Sequence, residues 1–284
     1  MNWIDKCSQT DECVRIGSFK INRLAFADDL VLFADSESGL QRAIDGFAAA
    51  CDNAGMKIST AKTEVLHISR NPVKCTLQIG GVQLKQVEKF KYLGVVFTND
   101  GKQDDEIGVR MGKASAVMQA LYRSVVMKRE LSVKAKLAVF RSIFTPILTY
   151  GHESWVMNER MRSQVQATEM RFLRRIKGIT LLDKVPNSEI QESLNVESLL
   201  LRIERSQLRW LGHVSRMPQE RLPQQALFAE PIGKRPVGRP RKRWMSYVED
   251  LGWNRLGLGP KEMKEVVKDR DVWQLNLELL PPRP

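Results

Sequence analysis

The sequence is poor in the residues that bind structural zinc, because it has only three histidines and four cysteines. None of the cysteines forms a Cys-x-x-Cys pair, and no histidine lies at a zinc-ligand spacing from them. We therefore predict no structural zinc site. We interpret the cysteines as reduced thiols and expect Cys51 to pack on a helix.

Long apolar runs are also missing. No segment approaches the ~18 consecutive apolar residues of a membrane-spanning helix, and the N-terminus does not resemble a secretory signal. Hydrophobic residues make up 43% of the chain and charged residues 27%, which is enough for one or two packed cores. We expect an intracellular protein, nuclear and cytoplasmic, with no membrane partner.

Acidic residues balance basic ones only in the first part of the chain. Residues 1–100 carry 12 basic and 12 acidic residues, whereas residues 101–284 carry 33 and 21, which is the whole net charge of +12. This division suggests that the first segment holds chemistry or core structure and the second binds a polyanion. A solvated basic surface without a partner is the alternative.

Hydrophobic periodicity changes near residue 100 as well. Before it, short apolar strands and turns surround one amphipathic helix that ends near Ala54, and after it the pattern is mostly helical. The sequence therefore predicts an α+β fold over 15–100 and an all-α fold afterwards. The predicted helices cover residues 104–127, 132–149, 159–177, 187–194, 197–217, 244–251 and 261–279.

Two adjacent aspartates, Asp28 and Asp29, interrupt an apolar run. Apolar strands on both sides predict a β-hairpin with the carboxylates at its tip. Like charges this close repel each other, and Mg²⁺ would offset the repulsion because it prefers oxygen ligands. Two such ions can activate an attacking hydroxyl and stabilise a leaving phosphate. From these residues alone, an exposed turn is the alternative.

The segment Phe-Ala-Asp-Asp-Leu-Val-Leu-Phe-Ala-Asp (26–35) resembles the catalytic hairpin of LINE-type (non-LTR) retrotransposon reverse transcriptases. Further similar segments follow in the order of that family, so that the resemblance extends from about Val14 to Trp273. They are Asn-Ala-Gly-Met-Lys-Ile-Ser-Thr-Ala-Lys-Thr-Glu (53–64), Phe-Lys-Tyr-Leu-Gly (90–94), Leu-Thr-Tyr-Gly-His-Glu-Ser-Trp (148–155), Leu-Arg-Arg-Ile-Lys-Gly (173–178), Leu-Arg-Trp-Leu-Gly-His-Val-Ser-Arg (208–216) and Gly-Arg-Pro-Arg-Lys-Arg-Trp (238–244). The ordered series is highly specific.

The resemblance implies the C-terminal half of a reverse transcriptase. Residues 1–100 would be a partial palm of antiparallel hairpins plus a helix, including the aspartate hairpin and a primer-grip-like hairpin. Residues 101–230 would be a helical, thumb-like region, and residues 231–284 a basic linker with short C-terminal helices.

The resemblance also implies roles for individual residues. Asp28 and Asp29 would hold the catalytic metals, Mg²⁺ or Mn²⁺. Lys62 would act near the phosphates of the incoming nucleotide, with a surface lysine ahead of a strand as the equal alternative. Tyr92 and Gly94 would hold the primer end, with an ordinary core aromatic as the alternative for Tyr92.

Basic and apolar residues interleave in helices 159–177 and 197–217, as in helices with one side on a core and one in water. Positive helix faces can contact phosphates, and a solvated face is the alternative. The basic segment 233–243 contains Gly-Arg-Pro, which resembles the core of an AT-hook. We favour a flexible phosphate-binding arm over a sequence reader, with a nuclear-import signal as a third interpretation. The predicted nucleic-acid-binding residues of this part are Arg171, Arg174, Arg175, Arg209, Arg239, Arg241, Lys242 and Arg243.

A complete polymerase of this kind has fingers and a further metal-binding aspartate upstream of the catalytic hairpin. Only 25 residues precede Phe26, and Asp5 and Asp11 lie in no buried-strand pattern. We therefore expect a fragment that binds metal weakly or not at all and does not polymerise alone; the complete enzyme would bind an RNA template and a DNA primer. Uncovered palm surface predicts self-association. The alternatives are a non-catalytic nucleic-acid-binding protein derived from a retroelement and a decayed retroelement copy.

Overall fold

The computed structural model describes residues 12–17, 19–69, 73–230 and 242–281. The described residues fall into two compact units, of which the first lies within Met1–Lys102 and Gln219–Gly238 and the second within Gln103–Pro218 and Arg239–Pro284. Short strands and helices build the first unit, and helices build the described part of the second. The chain therefore has the α+β composition that the sequence predicts.

The strands of the first unit are short and pair two by two in the described part of the chain. They are β1 (Val14–Ile16), β2 (Phe19–Ile21), β3 (Arg23–Phe26), β4 (Asp29–Leu32), β5 (Glu64–Leu66), β6 (Gln78–Ile79), β7 (Val82–Gln83), β8 (Lys85–Val87), β9 (Lys89–Tyr92) and β10 (Val95–Thr98). Four pairs are antiparallel, between strands that follow each other in sequence. The β5–β8 pair is parallel and joins segments distant in sequence, so local pattern did not predict it.

Helix α1 (Glu37–Asn53) packs on strands of the first unit and completes its core. The Ser36 hydroxyl caps the helix by accepting a hydrogen bond of 3.1 Å from the Gly39 N–H. Ile44 of α1 packs into a buried apolar cluster with Val65, Leu77 and Leu84. Cys51 lies on the same helix and is 3% exposed, which confirms its predicted packing.

Most of the remaining helices begin and end close to the predicted limits, although the helix predicted over 244–251 extends to Leu256. The remaining helices are α2 (Asp104–Leu121), α3 (Val133–Val139), α4 (Thr145–Leu148), α5 (Glu159–Lys177), α6 (Asn187–Ser193), α7 (Leu199–Ser215), α8 (Leu222–Phe228), α9 (Trp244–Leu256), α10 (Pro260–Val266) and α11 (Arg270–Glu278). Helix α8 belongs to the first unit and was not predicted; it is one short segment with no buried residue. None of the described helices is both long and apolar enough to cross a membrane.

Three predicted helices are not regular α-helices over their whole length. The helix predicted over 104–127 ends in a π-helical turn, Tyr122–Val126. The helix predicted over 132–149 is divided by a second π-helical turn, Phe140–Phe144. The helix predicted over 261–279 is two helices, α10 and α11, because the Asp269 side chain accepts from the N–H groups of Asp271 and Val272 and starts a new helix.

The core of the helical unit has an aromatic centre. Phe140 and Phe144 lie on the second π-helical turn, and both contact Phe172 of α5, with ring centroids 4.7 to 5.4 Å apart. All three side chains are at most 1% exposed. Stacked and tilted ring contacts of this kind stabilise a core beyond the area that they bury.

A buried ionic network joins α5, α7 and α9. The Glu204 carboxylate lies 2.5 Å from Nη1 of Arg162 and 3.1 Å from Nε of Arg255. The Tyr247 hydroxyl accepts from Arg162 and donates to Gln207 at 3.1 Å. The basic pattern of helix 159–177 suggested that Arg162 faces water, but it is 7% exposed, because Glu204 offers it a buried partner.

Candidate functional site

The hairpin of β3 and β4 carries the aspartate pair at its tip. The register pairs Phe26 with Asp29, which leaves Ala27 and Asp28 as a two-residue turn. Ala27 has φ +52°, a left-handed conformation that costs a non-glycine residue about 1–2 kcal/mol. Strain of this kind is typical of functional sites, where the surrounding structure maintains it.

Both carboxylates of the pair are exposed. Neither the Asp28 nor the Asp29 side chain makes a hydrogen bond or ion pair with another described residue. Within the same part of the chain, no group of three or more His, Cys, Asp or Glu residues could hold a metal ion. The donor set nevertheless suits Mg²⁺, since that ion is usually bound by one or two carboxylates together with water and substrate phosphates.

A second hairpin, formed by β9 and β10, lies in the same unit. Its turn is Leu93-Gly94, with φ +47° and +84°. Positive φ at both positions is typical of a type I′ turn, in which glycine is favoured at the second position. The apolar pattern of residues 90–97 by itself favours a single strand, whereas the family resemblance implied a primer-grip-like hairpin. The chain forms a hairpin here, and its turn is at Leu93-Gly94.

Tyr92 directly precedes that turn and is half-buried. Burial raises the pKa of its hydroxyl, and the negative charge of Asp29 raises it further. The first unit therefore contains both segments that the sequence predicted, one for the metals and one for the primer end, and their roles stay predictions.

Lys62 lies in an exposed turn ahead of β5, where its N–H donates to the Ser59 carbonyl at 3.1 Å. Its side chain makes no hydrogen bond or ion pair with another described residue. Nothing in the described geometry distinguishes a catalytic lysine from a surface lysine, so its role stays a prediction.

The arginines predicted to bind nucleic acid have different surroundings. Arg171 and Arg209 are exposed on α5 and α7. Arg174 is 9% exposed and holds the loop after α5. Its three acceptors are Thr180 O at 3.2 Å, Val185 O at 2.8 Å and Asn187 Oδ1 at 2.9 Å. The structure corrects the prediction for Arg174, because a guanidinium enclosed by protein acceptors has no face left for a phosphate.

Arg175 is half-buried, and its guanidinium carbon lies 4.7 Å from the ring centroid of Tyr122. This cation–π contact fixes the side chain along the π-helical turn that follows α2. Arg175 can therefore present only part of its guanidinium to a ligand.

The basic segment before α9 is only partly described. Lys242 is exposed but forms an ion pair with Asp250 of α9. Arg243, the N-cap residue of α9, is exposed. Arg239 and Arg241 lie outside the described residues.

Helix α7 carries an exposed aromatic residue that the apolar pattern assigned to the core. Trp210 is 39% exposed, and its ring centroid lies 5.5 Å from that of exposed His213. Helical spacing by itself predicts that Trp210 is exposed. The buried positions Leu201, Leu208 and Leu211 define one stripe, and Trp210 is turned away from that stripe.

Comparison with known proteins agrees with the sequence pattern. Residues 2–97 match the family described as reverse transcriptase (RNA-dependent DNA polymerase). The chain is 29% identical over 271 residues to a transposon-derived protein of Caenorhabditis elegans, covering 92% of the chain and 96% of that protein. It is 31% identical over 144 residues to the retrovirus-related Pol polyprotein from the type-2 retrotransposable element R2DM of Drosophila melanogaster. It is 23% identical over 169 residues to the RNA-directed DNA polymerase from mobile element jockey of the same fly.

The two fly relatives are much longer than the matched region. The R2DM match covers 47% of the chain and 13% of the relative, and the jockey match covers 54% and 18%. Together the matches support the function that the sequence predicts, a fragment of a retrotransposon RNA-directed DNA polymerase. The family match lies over the first unit, which contains the aspartate hairpin.

Proposed function

We propose that the chain forms part of the palm and the thumb of a non-LTR retrotransposon reverse transcriptase, corresponding to the C-terminal half of the polymerase. Residues 1–100 are the partial palm, 101–230 the thumb-like region, and 231–284 a basic linker with short helices. The observation that carries the proposal is the β3–β4 hairpin, whose tip exposes Asp28 and Asp29 within the residues that match the reverse transcriptase family.

Asp28 and Asp29 are the metal ligands in this proposal. Reverse transcriptases generally use divalent metals, and bound Mg²⁺ or Mn²⁺ stabilises the phosphate charge during nucleotide addition. Because both carboxylates are exposed and unpaired among the described residues, they can bind a cation without losing an internal partner. Two carboxylates without substrate phosphates hold Mg²⁺ weakly, so we expect weak metal binding and no polymerisation by this chain alone.

Tyr92 and Gly94 hold the primer end. The Tyr92 hydroxyl is protonated at neutral pH, as an ordinary tyrosine is, so it can donate a hydrogen bond to a phosphate without adding negative charge. Gly94 has no side chain at the turn, which lets a nucleic-acid backbone approach closely. Lys62 is exposed in the same unit and remains the proposed contact to the nucleotide phosphates.

The helical unit binds the RNA template and DNA primer through exposed basic residues. Arg171 and Arg209 lie on two different helices, α5 and α7, and both side chains reach solvent. Phosphate contacts of this kind are independent of base sequence and weaken as salt rises.

Photo-cross-linking tests the palm assignment. The full chain is mixed with an RNA–DNA primer–template whose primer carries a photoreactive base at its 3′ end, and labelled peptides are mapped by mass spectrometry. We expect labelling within residues 23–32 and 89–98. In a control duplex of the same sequence, the photoreactive base is placed at an internal, base-paired position, and we expect its labels on the helical unit.

A non-catalytic nucleic-acid-binding protein is the second candidate function. The exposed basic residues of α5 and α7 favour it, since they need no aspartate pair to bind phosphates. If the primer–template and the control duplex both label the helices, and neither labels residues 23–32 or 89–98, this candidate is supported and the palm assignment is contradicted.

A further inference from the structure

Helix α7 presents an exposed surface that combines an aromatic ring with positive charge. We call it the α7 face and define it as Arg202, Arg209, Trp210 and His213, all of which are exposed. Trp210 is 39% exposed, although the tryptophan ring is a large apolar group that proteins usually bury. An exposed tryptophan beside two arginines calls for a physical explanation.

Helical geometry places the basic residues of the α7 face in a row. Arg202 and Arg209 are two turns apart on the same side of the helix, about 10 Å along its axis. His213 follows one turn later on the same side. Trp210 lies beside the row, with its ring tilted by 44° to the His213 ring at a centroid distance of 5.5 Å.

No acidic group of this helix competes for the α7 face. Glu204 is the only acid between Arg202 and His213 in the sequence, and it is 1% exposed. Its carboxylate is neutralised inside the unit by Arg162 and Arg255. The exposed side of the helix therefore carries positive charge alone.

The other arginines of α7 and its C-terminus are already engaged. Arg205 pairs with Glu197 at 2.5 Å and donates to the Leu277 carbonyl at 3.0 Å. Arg216 donates to the Val267 carbonyl at 2.6 Å. The side chains of Arg202 and Arg209, in contrast, make no hydrogen bond or ion pair with another described residue.

We propose that the α7 face is a stacking platform for an unpaired nucleobase, in which Trp210 stacks on the base and Arg202 and Arg209 contact the flanking phosphates. Every nucleobase has a π-face, so such a platform binds single strands with little sequence preference. Bases inside a duplex are already stacked and cannot reach the ring. This inference rests on the proposed function, because it assigns the single-stranded part of the template or primer to this surface.

Equilibrium binding of the full chain to a labelled single-stranded oligonucleotide tests the ring. We expect Trp210→Leu to weaken binding by about 10-fold and Trp210→Phe to weaken it by less than about three-fold. Leucine keeps an apolar side chain at the position, so its comparison with phenylalanine separates loss of the ring from loss of packing. Thermal melting of both variants checks that the helical unit stays folded.

Two ligands separate base stacking from phosphate contact. An oligonucleotide of the same length with abasic sites, and a duplex of the same sequence, offer phosphates but no stackable base. We expect Trp210→Leu to leave binding to both unchanged. Arg209→Gln should weaken binding to all three and lower the slope of log Kd against log salt by about one.

Trp253 provides the matched control variant. It is 61% exposed on α9, in the same unit, but lies one turn after Glu249 and Asp250. Because this position combines an exposed ring with negative charge, we expect Trp253→Leu to leave single-strand binding unchanged.

The outcomes distinguish the two proposals. If Trp210→Leu has no effect on single strands, or weakens abasic and normal strands equally, the stacking platform is wrong while the proposed function stands. The same holds if Trp253→Leu weakens binding as much as Trp210→Leu. If the unmodified chain binds no nucleic acid at all, both proposals are wrong.

Discussion

Glu169 of α5 is 0% exposed, and its carboxylate is only partly hydrogen-bonded. Oε1 accepts from the Leu199 N–H at 3.2 Å and from Gln191 at 3.3 Å, whereas Oε2 is buried without a partner among the described residues. Burial raises the pKa of Glu169 to about 7, and the two hydrogen bonds oppose that rise. The folded protein therefore prefers the protonated form of this side chain.

The first prediction concerns the pH dependence of stability. Because the folded pKa of Glu169 lies above its ordinary value, the contribution of Glu169 to the free energy of unfolding falls as pH rises from about 4.5 to about 7. The full change is about 3 kcal/mol. Glu169→Gln should remove this dependence, so that its stability relative to the unmodified chain increases from about pH 5 to about pH 8.

Denaturant unfolding of both proteins across that pH range checks the prediction. Burial lowers the pKa of His152, whose contribution has the opposite sign because it is lost as pH falls. That contribution is present in both proteins and cancels in their difference. Parallel stability curves for the two proteins would mean that Glu169 does not titrate as its burial implies.

The second prediction contrasts two arginines of α5. Arg174→Gln should lower the free energy of unfolding by about 3 kcal/mol, because three hydrogen bonds from a buried, charged donor are lost. Arg171→Gln should change it by less than about 0.5 kcal/mol, because Arg171 is exposed, but it should weaken nucleic-acid binding. Urea unfolding and filter binding of both variants measure the two effects. A stable Arg174→Gln variant with weakened binding would restore Arg174 as a nucleic-acid contact.

At the scale of helices and hairpins, local pattern predicted what local forces determine. Helix α5 begins and ends at the predicted residues because Asn158 caps its start and Gly178, at φ +73°, ends it. The β3–β4 hairpin was predicted because apolar strands flank a polar turn. The β5–β8 pairing escaped prediction since nothing in either strand specifies a partner so far along the chain.

The third prediction tests the network that joins α5, α7 and α9. Glu204→Gln removes the buried counter-charge of Arg162 and Arg255 and leaves Arg162 only the exposed Glu159 carboxylate at 3.7 Å, which should cost about 3–5 kcal/mol of unfolding free energy. The control is Glu197→Gln, whose ion pair with Arg205 is partly exposed and should contribute less than about 1 kcal/mol. Equal effects in urea unfolding would mean that the buried network contributes no more than a surface ion pair.

At the scale of the whole molecule, the exposed apolar residues of the first unit predict self-association. Phe26 is 61% exposed beside the aspartate turn, and Phe97 of β10 is 47% exposed. Exposed apolar surface on a short-stranded unit favours pairing with another copy. The mean mass from light scattering should rise with protein concentration and should stop rising in the variant Phe26→Ser with Phe97→Ser.

Leu182 supplies the control for that experiment. It is 89% exposed but lies in the loop after α5 in the helical unit. Leu182→Ser should leave the concentration dependence unchanged if the first unit is the self-associating surface. Loss of association in Leu182→Ser alone would assign it to the helical unit instead.

The sequence by itself determined the α+β composition, the uneven distribution of charge and the aspartate pair at a hairpin tip. These depend on composition, on alternation along a strand and on residues three or four apart in a helix, which are local properties. Only the tertiary structure decided that Arg174 is enclosed, that Trp210 is exposed, and that β5 pairs with β8. Each of these depends on which distant segments pack together, so no window of the sequence contains the information.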